Sequence, residues 1–406
     1  MADLPPDRGG LSRRRLFGSS AAALGVAGAV GVGAAVRAQG AGSGAAGADI
    51  VAWNGPHQAG IATAPPQAHA VFVGLDLLPR VGRAEMVGIM KVWTDDIARL
   101  TRGLPALADT EPELAVSPAR STVTIGYGPG VFTAIGRPES APVWLGPLPP
   151  FAIDRLDPAF TGGDLVLQVC SDDPVTVAHT VRVMVKNVRS LVTVKWTQRG
   201  FRRSRGTEAP GTTMRNLMGQ VDGTANPVPG TGDFDSLVWD DGADLPWLSG
   251  GTSMVLRRIE IDLDSWDGLD RPGREISVGR ALDSGAPLTG TGETDEPDFA
   301  AVDPDGIPII APGAHIARAR HTHEGERIFR RVYNYDDPPL RGSVSNSGLL
   351  FVSFQRDVAR QFLPVQKRLN EFDALNEWTT PVGSAVFAVP PGIGSDSYIG
   401  EGLLGG

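Results

Sequence analysis

Cysteine is almost absent from this 406-residue chain; Cys170 is the single one. No intramolecular disulfide can form, and one chain cannot supply a cysteine-rich zinc or iron–sulfur site. Cys170 ends the run Leu165-Val166-Leu167-Gln168-Val169-Cys170, which predicts an inert strand residue. A thiolate metal ligand is the sharper alternative. Histidine is also scarce, with only His57, His69, His179, His315, His321 and His323. Basic charge falls short of acidic charge, 37 Lys+Arg against 46 Asp+Glu, a net charge of −9. That balance argues against a nucleic-acid partner and gives no support for binding anionic membranes. No strongly apolar run reaches the ~20 residues of a membrane span. The uncharged stretch from Ala21 to Val36 is short and rich in Gly and Ala, so it suits a signal better than an anchor.

What is present at the N-terminus agrees with a signal. Ser12-Arg13-Arg14-Arg15-Leu16-Phe17 is a twin-arginine pattern, and Val36-Arg37-Ala38 puts small residues where a signal peptidase reads. Residues 1–38 are therefore expected to be a twin-arginine signal peptide. The product would be secreted, periplasmic or cell-envelope, with no membrane anchor after signal removal. Removing them takes away five arginines and two aspartates, which deepens the net charge to −12. Residues 39–50 read as a flexible Gly/Ala/Ser lead-in.

The remainder suffices for one large or two moderate domains. Periodicity predicts a strand over 69–77, a helix over 83–100, strands over 121–127 and 164–170, a helix over 174–191 and a strand over 192–197. That order, β-α-β then β-α-β, is the ferredoxin-like arrangement. The second half repeats it more loosely. A strand is predicted over 253–263, a weaker helix over 265–282, a strand over 348–354, an amphipathic helix over 358–372 and a strand over 384–389. The fold class is α+β, with units at 51–214 and 215–406. Long Gly/Pro/Asp-rich loops at 222–250 and 283–313 are expected to be functional or covering segments.

Three short motifs carry the chemistry. Gly219-Gln220-Val221-Asp222-Gly223 flanks a carboxylate with glycines, and Asn226-Pro227 follows. By itself Asp-Gly is a strong turn pair. Gly313-Ala314-His315-Ile316 isolates one histidine, and Ile328-Phe329-Arg330-Arg331 presents two adjacent arginines. On a strand the two arginines point to opposite faces. His321-Thr322-His323 is the rival histidine site, readable as a metal pair or an exposed loop.

Together these motifs resemble the haem site of dye-decolourising peroxidases, in their twin-arginine-exported, deferrochelatase/peroxidase-like members. The resemblance runs from about residue 50 to 392. It takes in Trp53-Asn54-Gly55-Pro56-His57, Leu349 to Asp357 and Leu375-Asn376-Glu377-Trp378. It implies two ferredoxin-like β-α-β-β-α-β units packed as a duplicated, barrel-like haem peroxidase with one haem b per chain. His315 would hold the iron through Nε2, with Asp373 a candidate acceptor for its other nitrogen and helix capping the alternative role of Asp373. Asp222 would move the peroxide proton and Arg330 would steady the developing charge. Gly219 and Gly223 would let backbone approach the cofactor, and Arg331 would be an outward or propionate-side charge. The chain departs from many relatives at Ala317, where they carry arginine, and at Val332, where they carry glycine. Expected partners are hydrogen peroxide and aromatic or dye-like electron donors, and a homo-oligomer is compatible. Bulky donors would be oxidised at the surface, with Trp239, Trp247 and Trp266 as candidate relays. The different-class alternative is a haem-binding protein of iron uptake, which needs the ligand but not the acid–base pair. A chlorite-dismutase-like enzyme would not need the Asp222 motif.

Overall fold

Alternation along the first strand decides the layering. Val71, Val73 and Leu75 pack into one apolar cluster, while Ala70 and Phe72 pack into another. A strand exposes successive side chains on opposite faces, so this strand is covered on both. The computed structural model describes residues 49–339 and 342–405. The twin-arginine segment and its cleavage site lie outside those residues.

The first half runs β1 (His69–Leu77), α1 (Arg83–Leu100), β2 (Thr122–Tyr127), α2 (Pro129–Ala134), β3 (Leu165–Ser171), α3 (Pro174–Val188) and β4 (Val192–Phe201). The second runs α4 (Gly232–Val238), β5 (Thr252–Ile261), α5 (Leu263–Asp267), α6 (Arg271–Val278), α7 (His315–Ala319), β6 (Phe329–Arg330) and β7 (Tyr333–Asp336). It ends with β8 (Ser347–Gln355), α8 (Leu363–Phe372), β9 (Thr379–Val389) and α9 (Glu401–Leu404). All strand pairings are antiparallel. The order is β2-β3-β1-β4 in the first half and β9-β5-β8-β7 in the second. Narrow seams join the halves at Tyr127↔Ala388 and Phe201↔Asn334. Because β5 pairs with β8 from Ser253↔Gln355 to Ile261↔Ser347, the sheet closes on itself. The interior holds Phe72, Trp196, Leu256, Tyr333, Phe354 and Phe387. Helices α1 and α3 cover the outer face of the first half.

Local chemistry explains the helices. Glu85 reaches back to the Gly82 amide and opens α1, which buries Met86, Ile89, Met90, Trp93 and Ile97 at helical spacing. Asp173 caps α3 through the Thr176 amide at 2.7 Å, and Pro174 follows at the first helical position. The single helix expected over 265–282 is instead α5 and α6. Gly268 ends the first, and Asp270 caps the second just before Pro272. The helix expected over 358–372 opens with a π-helical turn, Val358–Phe362. Pro364 has no N–H to donate back along a regular ladder, which accommodates the widened turn. β9 begins at Thr379 rather than 384. It passes Pro381 at a register shift between Arg258 and Ile259, where a strand tolerates proline.

Asp96 on α1 is buried and accepts from Asn187 Nδ2 at 2.9 Å. Burial pushes its carboxyl up to about 6, with Asp95 and Asp109 adding to the shift and Asn187 and Lys186 opposing it. The folded chain thus holds this proton more tightly than the unfolded chain. The contribution to stability is greatest below about pH 4, declines as pH rises to about 6, and is then fully lost. Asp96→Asn should therefore stabilise the fold by roughly 2–3 kcal/mol at neutral pH and by nothing at about pH 4. Thermal unfolding midpoints at the two pH values check this, and equal gains at both would contradict it.

Candidate active site

Residues 213–224 form a small hairpin that carries Asp222. Its rungs are the Asp222 amide on the Met214 carbonyl at 2.8 Å, the Arg215↔Val221 bridge, and the Asn216 amide on the Gln220 carbonyl at 3.0 Å. Gly219 (φ +82°) and Gly223 (φ +131°) occupy the left-handed half of backbone space, so both positions require glycine for conformation. Arg215 fastens the turn, donating to the carbonyls of Gly219 and Leu282 through Nη1 and of Asp283 through Nη2. Asn226 locks the loop to β6. Its amide donates to the Arg330 carbonyl at 2.6 Å and accepts from the Arg330 amide at 3.0 Å.

The lock brings Arg330 Nη1 to 2.7 Å from Asp222 Oδ1, across 108 residues of sequence. The arginine side chain is 26% exposed and the aspartate 11%. The pair is therefore shielded yet reachable by a small molecule. Arg202, at the end of β4, is a neighbouring cation. Its Nε donates to the Val332 carbonyl at 2.8 Å, and its guanidinium lies 5.3 Å from the Tyr333 ring. Burial lowers its pKa to about 10, with Arg331 adding to the shift and Tyr333 and Asp222 opposing it.

His315 is the first residue of α7. Its Nδ1 lies 2.7 Å from Asp373 Oδ2, and the side chains are 33% and 4% exposed. Asp373 performs both roles weighed for it, because Oδ1 also accepts the Leu375 amide at 3.0 Å and caps the turn after α8. Burial alone would lower the imidazole pKa. The attraction and hydrogen bond of Asp373, with help from Asp222 and against Arg330, raise it instead. So the imidazole feels both members of the distant pair. Its Nε2 has no partner among the described residues, while Nδ1 is fixed by a buried carboxylate. That is how a metal-binding histidine is usually prepared, and the donor set fits a haem iron.

Arg331 requires a correction. It shares strand parity with Phe329 and Tyr333, is fully buried, and donates to the Thr63 carbonyl and the Gln67 side chain. It is therefore not an outward charge. Arg318 is bound to α8 through the Arg368 carbonyl and Glu371, and Arg320 lies over Phe299. His321 and His323 pair with Glu324 and Glu326, and no cluster of three or more potential metal ligands occurs among the described residues. Cys170 is buried beside the Tyr333 hydroxyl, and burial pushes its thiol pKa up. Trp266 is buried, donates to the Met218 carbonyl and meets Trp378 edge-on at 5.0 Å. Trp239 stacks on His57 at 3.7 Å, and Trp247 donates to the Ser140 carbonyl. The sequence reading missed Arg202 and Arg215, whose contacts join segments that no periodicity links.

Known proteins resemble this chain over most of its length. The chain is 38% identical over 355 residues to a dye-decolorizing peroxidase of Thermobifida fusca, covering 84% of this chain and 82% of that one. It is 34% identical over 373 residues to a deferrochelatase of Escherichia coli K12, covering 86% of each. A solved DyP-type peroxidase from Cellulomonas bogoriensis superposes with a TM-score of 0.87 at 55% identity, covering 89% of this chain and all of that one. No helix among the described residues is long and apolar enough to cross a membrane. Residues 58–202 match the family model for the N-terminal part of Dyp-type peroxidases and residues 213–394 that for the C-terminal part, and the chain belongs to this family.

Proposed function

We propose that this peroxidase reduces hydrogen peroxide and oxidises bulky aromatic or dye-like donors in one-electron steps, using one haem b held by His315. The observation that carries this reading is the pairing of an open, carboxylate-oriented His315 Nε2 with the Asp222–Arg330 pair. A solved DypB variant from Rhodococcus jostii with a similar fold is in complex with haem. Bound haem supplies an iron centre that accepts oxidising equivalents from peroxide and releases them singly to a donor. His315 contributes the Nε2 lone pair, while donation from Nδ1 to Asp373 fixes the tautomer and keeps the imidazole basic. Asp222 takes a proton from peroxide and returns it to the departing oxygen, so that water leaves. Arg330 stabilises the negative charge that develops as the O–O bond breaks. Gly219 and Gly223 shape the backbone that lines this side. The two halves, 51–214 and 215–406, serve as duplicated ferredoxin-like units, of which the second carries these groups.

Haem-loaded protein should bleach an anthraquinone dye only when peroxide is added. The second reading, a haem-binding or deferrochelatase-like role in iron uptake, is favoured by the named Escherichia coli relative. Recovery of iron-free porphyrin without peroxide-dependent bleaching would support that reading and contradict ours.

Export by the twin-arginine route completes the proposal, with residues 1–38 removed and the product extracytoplasmic. Replacing Arg13 and Arg14 together by lysine should leave precursor in the cytoplasm, as fractionation and immunoblotting would show. Unchanged export would mean that another route is used.

A further inference from the structure

The segment between α6 and α7 reaches back to the hairpin that holds Asp222. Glu293, in this segment, accepts hydrogen bonds at a single oxygen, Oε1, from Thr213 Oγ1 at 2.6 Å and Thr224 Oγ1 at 2.8 Å. Those threonines stand on opposite arms of the hairpin, just beyond the last backbone rung, the Asp222 amide on the Met214 carbonyl. The far end is already closed by Asn216 and clamped by Arg215. At the open end, among the described residues, Glu293 is the side chain that ties one arm to the other. Its own backbone is anchored, because Arg280 Nη1 donates to the carbonyls of Glu293 at 2.9 Å and Gly285 at 2.7 Å.

We infer that Glu293 is a positioning residue for peroxide chemistry, holding the arms of the 213–224 hairpin together so that Asp222 stays aligned with Arg330. This rests on the function proposed above. It assigns a task to a loop that otherwise has no role in the site. The physical argument is short. Asp222 is two residues from Thr224 and forms the last rung. If the arms part, the Asp222 backbone turns, and its carboxylate leaves the 2.7 Å contact with Arg330. Displacing a reacting group by about 1 Å can cost on the order of 10²-fold in rate. The glutamate acts as an acceptor, so glutamine, whose amide oxygen can take both hydroxyls, should replace it.

The test uses five forms of the full chain, each prepared with and without haem: wild type, Glu293→Ala, Glu293→Gln, Thr213→Val with Thr224→Val, and Glu293→Ala combined with both threonine changes. Two readouts are needed. One is the rate at which the Soret band changes after mixing with hydrogen peroxide. The other is hydrogen exchange at the amides of residues 213–224 in haem-free protein. Glu293→Ala and the double threonine variant should each slow the peroxide reaction about 10- to 100-fold. Both should accelerate exchange at the Asp222 amide. Combining all three changes should add little, because the groups form one unit. Glu293→Gln should stay close to wild type in both readouts. Wild-type rate and exchange in Glu293→Ala would overturn the inference. So would a Glu293→Gln variant as slow as Glu293→Ala, since the charge rather than the hydrogen bonds would then matter. If wild-type protein fails to react with peroxide, the proposed function is what fails. Exchange in haem-free protein still decides whether Glu293 holds the hairpin, and unchanged exchange overturns that.

Discussion

His315→Ala protein is expected to emerge from purification or haem titration with little bound haem, and any residual band should be altered. Of the other five histidines, His69 opens β1 in the first half and the remaining four are engaged elsewhere. His179 meets Asp109 at 2.8 Å in a buried pair, His57 stacks on Trp239, and His321 and His323 pair with glutamates. None replaces a ring whose Nε2 is open and whose Nδ1 is held by a buried carboxylate. Asp373→Asn tests the same arrangement more gently. It retains the cap through an amide oxygen but weakens the hold on Nδ1. Loss of such a partner typically costs about 10–100-fold in metal affinity. The haem-to-chain ratio, with the optical spectrum, measures both variants. Full occupancy and an unchanged spectrum in His315→Ala would move the assignment to His321 or His323.

Arg330→Leu and Asp222→Asn should each cripple the reaction with peroxide while haem stays bound. Removing a positioned proton-transfer group costs about 10²–10⁴ in rate. Removing one donor to developing charge costs about 10²–10³. We expect Arg330→Leu to be the more damaging. Water can stand in as a proton carrier for Asp222, whereas the neighbouring cation, Arg202, is tied to the Val332 carbonyl and does not take the place of Arg330. The ion pair adds a second reason. Arg330→Leu leaves a carboxylate that is only 11% exposed without its 2.7 Å partner, and a shielded charge without a partner is costly. For the same reason the double variant should be less impaired than the product of the two single losses. Stopped-flow rates on haem-matched samples decide the matter. A wild-type rate in Arg330→Leu would contradict the assignment.

Much of the fold was legible because its signals are local. Periodic apolar residues placed α1 at Arg83–Leu100, and Asp173-Pro174 marked the start of α3. Misjudged elements turn on residues whose effect depends on neighbours. Asp270 and Pro272 restart a helix that periodicity alone would continue, and Pro364 follows a π-helical turn. Closure of the sheet was implied only by the family resemblance, since each seam between halves rests on one residue pair. At the site, Asp222, His315 and Arg330 were legible only through the family motifs. Nothing in composition or spacing says that residues 108 apart share a hydrogen bond. Arg331 was misplaced because alternation fixes that adjacent residues diverge, not which of them faces inward. Glu293 was invisible, lying in an aperiodic loop and bonding to threonines 69 and 80 residues away.

The central claim is that His315 carries the haem on the side that faces Asp222 and Arg330. An experimental structure of the haem-loaded chain, with iron located by anomalous scattering, tests it most directly. The account predicts one iron per chain within bonding distance of His315 Nε2, with Asp373 still on Nδ1 and the Asp222 and Arg330 side chains on the opposite haem face. Iron bound through any other residue, or a haem with Asp222 and Arg330 remote from its open face, would contradict it.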